Sequence, residues 1–173
     1  RKVAPPALPE SSPPAKATSR VQIGFVSKFL HAHSIGHLLR GVIAHLDREK
    51  FHVTVLTIGT HDDELAAEIR QHADRVVTLP EHIPTALHTL SQLSLDILFY
   101  PDIGMEPVST TLAHSRLAPV QCVTWGHPVT TGITTLDYYI SSELLELDTA
   151  QDHYSEQLVR LKSLGTCFHR PSW

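Results

Sequence analysis

Cysteine, methionine and aromatic residues are scarce in this 173-residue chain, which holds two cysteines, one methionine and 6% Phe, Trp and Tyr. Two thiols, Cys122 and Cys167, cannot frame a disulfide-stapled fold, and no paired cysteine–histidine spacing of a zinc site is present. No apolar run approaches the ~20 residues that cross a bilayer. The N-terminus lacks the basic and apolar regions of a secretory signal. Excess positive charge is missing too: 14 Lys and Arg face 18 Asp and Glu, for a net charge of −4. That balance gives no electrostatic footprint for nucleic acid or an anionic membrane, so neither is expected as a partner. Reduced thiols in a cytoplasmic chain are the expectation.

What is present is a core. Hydrophobic residues make up 42% of the sequence and charged residues 18%, near ordinary globular usage. At roughly 100–200 residues per domain the length allows one domain plus a tail. Residues 1–20 carry five of the 12 prolines, with Ala and Ser between them, and are expected to form an extended linker. The chain opens on Arg1 and stops at Trp173 without a clear terminal element, so a piece of a longer protein is expected. Thirteen histidines nearly match the 14 Lys and Arg, and they add positive charge as pH falls through about 6.5.

From residue 21 strand and helix patterns alternate. Strands are expected at Val21 to Val26, Phe51 to Ile58, Val76 to Leu79, Leu95 to Tyr100, Val120 to Thr124, Leu136 to Ile140 and Leu158 to Leu161. Helices are expected at Ile35 to Leu46, where Leu38, Leu39, Val42, Ile43 and Leu46 share a face, at Asp62 to Gln71, at Pro84 to Leu93 and at Val108 to Ser115. This alternation predicts an α/β fold: a Rossmann-like, doubly wound, mostly parallel sheet over residues 21–173. Ligands of such sheets bind beyond the carboxyl ends of the strands, which selects the loops Ser27 to Gly36, Pro101 to Pro107 and Gly126 to Gly132.

The first loop places His31, His33 and His37 within seven residues. His33 at a helix N-terminus, where the macrodipole favours the neutral ring, suits a proton acceptor or a hydrogen-bond donor. A metal site using His-x-His with Asp102, His114 and His127 lacks the length of the barrel fold that usually builds one. The third loop joins Trp125, Gly126, His127, Pro128, Thr130, Thr131 and Gly132. Its glycines admit close backbone approach, and its hydroxyls suit sugar or phosphate oxygens. It is neither a Walker loop nor a dinucleotide fingerprint. Asp102 is the type of loop aspartate that ordinarily forms a turn.

Four segments in register carry a resemblance: Arg116-x-Ala118-Pro119-Val120-Gln121, then Trp125-Gly126-His127-Pro128-x-Thr130-Thr131-Gly132, then Asp137-Tyr138-Tyr139-Ile140, then Tyr154-Ser155-Glu156-x-Leu158. Together with the opening strand, His33 and His37, they resemble the first half of the catalytic region of the O-GlcNAc transferase and SPINDLY-like glycosyltransferases, over about residues 20–171. Two departures, His127 to Gly132 in place of Tyr-Pro-Gly-Thr-Ser-Gly and His33-Ser34 in place of His-Pro, look more like the bacterial cytoplasmic adhesin N-glycosyltransferases of the same family.

The resemblance implies a GT-B enzyme of which this chain is the N-terminal lobe, its C-terminal UDP-binding lobe absent. It implies inverting transfer of GlcNAc or another hexose from a UDP-sugar to Ser/Thr or Asn of acceptor proteins or peptides. UDP-sugar is then a co-substrate, and no cofactor or metal is required. It gives His33 as the catalytic residue and His37, Trp125, Gly126, His127, Pro128, Thr130 and Thr131 as donor-binding residues. It also implies upstream tetratricopeptide repeats and an isolated lobe without activity. The competing expectation is a Rossmann-like protein-binding module that has lost catalysis.

Overall fold

The computed structural model describes residues 20–169; the linker expected before Arg20 lies outside the described residues. Seven strands form one sheet: β1 (Val21–Ser27), β2 (Phe51–Ile58), β3 (Arg75–Leu79), β4 (Ile97–Tyr100), β5 (Val120–Thr124), β6 (Tyr138–Ser142) and β7 (Gln157–Leu161). Helices α1 (Ser34–His45), α2 (Glu64–Gln71), α3 (Ile83–Ser91) and α4 (Pro107–Ala113) follow β1 to β4 in turn. The spatial order is β3-β2-β1-β4-β5-β6-β7, and every neighbouring pair is parallel. The expected α/β doubly wound sheet is therefore present.

Burial on both faces explains why these strands are nearly continuous apolar runs. Along β1 and β2, Ile23, Phe25, Val53 and Val55 join Leu39 and Ile43 of α1 and Leu65 and Ile69 of α2 in one core. Val26, Leu56, Leu98 and Tyr100 point the other way, toward Ala86 and Leu90 of α3 and Leu112 of α4. Each fully buried side chain of this size contributes about 1.5–3 kcal/mol relative to exposure.

Element ends differ from the expected ones where a polar side chain takes over. Helix α1 begins one residue early because the ring of His33, and not a hydroxyl, caps it. Asp63 caps α2 by accepting from Ala66 N–H at 2.9 Å, so Asp62 and Asp63 stay outside the helix. Strand β4 starts at Ile97, after the Asp96 carboxylate has accepted from Gln22 N–H at 2.8 Å. Strand β6 starts at Tyr138, because Leu136 N–H closes a turn onto Ile133 and the Asp137 carboxylate takes Gln121 N–H and Arg116. The crossovers β5–β6 and β6–β7 contain no α-helix, the second holding only a short 3-10 turn at Ala150–His153.

Candidate functional site

The chain winds outward from β1 through β2 to β3, then returns to place β4 on the other side of β1. The carboxyl ends of β1 and β4 thus flank the switch point, where such sheets open a crevice. Ser27 ends β1 and Asp102 lies just beyond β4, both fully buried. Ser27 Oγ donates to Asp102 Oδ2 at 2.7 Å and accepts from Phe29 N–H at 2.8 Å. Burial pushes the Asp102 carboxyl up to about 7; the Ser27 hydrogen bond opposes the rise and the charge of Glu106 adds to it. Glu106 is itself buried and caps α4 by accepting from Ser109 N–H at 2.7 Å.

Beyond Ser27 the loop gathers aromatic rings. Phe29 stacks on His33 with centroids 4.3 Å apart, and His31 stacks on His61 of the β2–α2 loop at 3.9 Å. Asp63 ties the two loops by accepting from Ala32 N–H at 3.0 Å. Burial and His61 hold His31 below the usual histidine range, against the pull of Asp63. His33 Nδ1 accepts from Ile35 N–H at 3.2 Å. A neutral imidazole with an accepting Nδ1 carries its proton on Nε2, so His33 offers a donor at its free nitrogen. His37, one turn into α1, is exposed.

A second concavity lies between the β4–α4 and β5–β6 loops. It is an open cleft of about 270 Å³ lined by Gly104, Thr110, His114, His127, Thr130 and Thr131, among others. Gly104 has φ +97°, and a Cβ there would lie 2.7 Å from Cδ2 of His127, so the imidazole is laid directly against bare backbone. Tyr139 Oη donates to His127 O at 3.1 Å and fixes the loop from below. Half of the loop is held by one residue, Glu156, which is buried just before β7. It accepts from Thr130 Oγ1 at 2.7 Å, Thr131 N–H at 2.9 Å and Thr131 Oγ1. Burial alone would raise the Glu156 carboxyl, but the hydrogen bonds from Thr131 and Thr130 outweigh it and hold it below the usual range.

The start of the same loop turns elsewhere. Trp125 donates from Nε1 to Leu164 O at 3.2 Å. With Gly126 it lines a small apolar crevice of about 40 Å³ shared with Ile35, Leu38, Pro101 and Thr166. A Cβ on Gly126 would collide with Pro101 O, so glycine is what lets β5 leave the sheet against the end of β4. Thr166 Oγ1 donates to Leu38 O at 2.6 Å and straps the segment after β7 across α1.

Residues 6–168 match the model of glycosyl transferase family 41. The chain belongs to that family. It is 28% identical over 156 residues to a probable UDP-N-acetylglucosamine–peptide N-acetylglucosaminyltransferase, SPINDLY, of Solanum lycopersicum, covering 84% of this chain and 16% of that protein. A UDP-glucose:protein N-beta-glucosyltransferase of Actinobacillus pleuropneumoniae is 34% identical over 65 residues, 38% of this chain and 10% of the enzyme. Among solved structures, a lysine-to-methionine variant of the Thermobaculum terrenum O-GlcNAc transferase superposes with a TM-score of 0.78 at 26% identity, covering 86% of this chain and 29% of that one. The chain thus spans about a sixth of the plant relative's length.

Within this family 41 chain the residues expected at the site fall into three places. His127, Thr130 and Thr131 share the larger cleft, Trp125 and Gly126 share the apolar crevice, and His33 stands in the aromatic group of the β1–α1 loop. Pro128 is exposed beside His127, and Trp125 has its indole N–H committed to Leu164. Both threonine hydroxyls donate to Glu156, and both also accept within the loop, Thr130 Oγ1 from Ser155 N–H at 2.9 Å and Thr131 Oγ1 from Ile133 N–H at 3.1 Å, so they fix the cleft wall. Sequence reasoning quoted Glu156 only within the Tyr154-Ser155-Glu156 segment and gave it no role at the site, and it did not pair Asp102 with Ser27; a serine ending one apolar strand and an aspartate just beyond another were the available signal. Among the described residues no group of three His, Cys, Asp or Glu is placed to hold a metal ion, and no helix is long and apolar enough to cross a membrane.

Proposed function

We propose that this chain is the N-terminal lobe of a cytoplasmic, UDP-sugar-dependent, inverting protein glycosyltransferase, completed by a second, UDP-binding lobe and preceded by tetratricopeptide repeats. The observation that carries the reading is the His127 cleft at the carboxyl edge of a family 41 sheet. It is a concave site in which one imidazole rests on Gly104, walled by Thr110, His114, Thr130 and Thr131. Sugar hydroxyls are donors and acceptors of matching size, so the donor hexose is assigned to this cleft. His37 on the first turn of α1 and Pro128 beside His127, both exposed, complete the donor-side surface.

In the proposed reaction an acceptor oxygen or amide nitrogen of a protein side chain attacks the anomeric carbon from the face opposite UDP. The bond from that carbon to the β-phosphate oxygen breaks, its electron pair leaves with UDP, and the proton of the attacking hydroxyl or amide passes to solvent. Groups of the second lobe stabilise the departing charge. His33 touches this chemistry as a hydrogen-bond donor through Nε2, consistent with its Nδ1 being engaged at the α1 cap. The proposal calls for no metal or other cofactor.

The test is a transfer assay on the full-length protein, with labelled UDP-GlcNAc and UDP-glucose offered separately to acceptor proteins of a cell lysate. Incorporation from either donor, lost in His33→Ala, supports the enzyme and identifies the sugar. No incorporation from either overturns it in favour of a binding module.

A further inference from the structure

We propose that Asp102 is the positioning residue of the β1–α1 loop: through Ser27 and Phe29 it fixes the orientation in which His33 faces the substrate. The inference rests on the transferase reading for its activity assay, and on geometry for the rest. The connection is continuous. Asp102 Oδ2 accepts from Ser27 Oγ at 2.7 Å, Ser27 Oγ accepts from Phe29 N–H at 2.8 Å, and the Phe29 ring stacks on the His33 ring at 4.3 Å.

A serine hydroxyl has one proton, and here it is committed to Asp102, so a lone pair is left to hold the Phe29 amide. The far side of the loop is pinned separately by Asp63 at Ala32 N–H. His33 is thus suspended between two carboxylates, one buried at the switch point and one at the α2 cap.

Among the described residues Asp102 Oδ1 has no hydrogen-bond partner. A buried aspartate with half of its carboxylate unpartnered is costly for a fold, and a chain selected for stability alone is served better by asparagine, which keeps the acceptor for Ser27. The ionised carboxylate makes the shorter, stronger bond to a hydroxyl. The groups acting on it are Ser27 from β1 and Glu106 from the α4 cap; Lys28, near Glu106, is paired with Glu81 at 2.9 Å. Its pKa of about 7 places the tightening of the loop in the assay range. The sign follows: because the folded value is raised, Asp102 supports stability fully below about 4 and loses that support as pH rises through about 7. Loop order and stability therefore move oppositely with pH.

The experiment compares wild type, Asp102→Asn and Ser27→Ala in the full-length protein. It reads kcat and donor KM from pH 6 to 8.5, melting temperature at pH 8, and hydrogen exchange of the Phe29 amide. Asp102→Asn is expected to lower kcat about tenfold with donor KM within about twofold, to melt no lower than wild type, and to lose the rise in kcat near pH 7. Ser27→Ala is expected to speed exchange at Phe29. Wild-type kcat in Asp102→Asn, or a kcat loss matched by a fall in melting temperature, overturns the positioning role. If wild type itself transfers no sugar, the transferase reading fails and exchange decides alone: Phe29 protection that rises through pH 7 in wild type but not in Asp102→Asn sustains the proposal, and equal protection in the two ends it.

Discussion

Glu156 holds the hydroxyl of Thr130 at 2.7 Å across 26 positions of sequence, and the same carboxylate takes both the amide and the hydroxyl of Thr131. One buried side chain thus sets the far wall of the His127 cleft. Hydrogen bonds to a charged group contribute about 1.5–3 kcal/mol each when a partner is removed from a buried site. Glu156→Ala is expected to destabilise the protein by about 2–4 kcal/mol by chemical denaturation. Because its folded pKa is depressed, Glu156 contributes stability above its ordinary value of about 4.5, and that contribution is lost as pH falls through the lower folded value. Glu156→Gln is expected to flatten the acid limb of a melting-temperature profile; an unchanged limb would show that the pair does not titrate.

His33 caps α1 through Nδ1 and, in the proposed reaction, donates from Nε2, and the two roles separate by substitution. Asparagine caps helices as well as any residue, whereas alanine costs about 1 kcal/mol at such a position. His33→Asn is therefore expected to keep the wild-type melting temperature, and His33→Ala to lower it. Both are expected to lower transfer by about a hundredfold. Activity retained in His33→Asn would restrict the histidine to its structural role.

Gly104→Ala places a methyl group against the imidazole of His127 in a backbone conformation with φ +97°. Strain of this kind costs about 1–3 kcal/mol. The expected result is a donor KM raised about tenfold, resembling that of His127→Ala, with acceptor KM unchanged. A shift confined to acceptor KM would move the donor sugar out of this cleft.

How far the sequence carried these conclusions differs by residue. The buried runs of β2 and β4 and the apolar face of α1 were legible because one-dimensional periodicity reports burial directly. The α1 cap was not, since Ser34 stands where a hydroxyl is the commoner cap and His33 takes the position through its ring. Asp102 has the local signature of a turn former, and only strand order brings it against Ser27, 75 positions away. Trp125 sat in the right motif, yet its N–H serves Leu164, a partner that pattern reading cannot supply.

The two thiols are expected to differ in reactivity. Cys122 is buried in β5, and burial pushes it up to about 12, with Asp137 adding to the shift. Cys167 is only partly covered where it crosses Gly41 of α1. At pH 8 an alkylating reagent should modify Cys167 rapidly and Cys122 only on unfolding. Two equally fast thiols by mass spectrometry would show that β5 is open.

The strap from Thr166 to Leu38 closes a loop of 128 positions, and it covers the flank of α1 formed by Leu38, Leu39 and Val42. A ribosome adding about 5–20 residues per second needs roughly 6–25 s to travel that distance. Throughout that interval the helix bearing the His33 cap has left the exit tunnel with an apolar flank uncovered. The growing chain thus presents this flank to chaperones before the lobe can close over it.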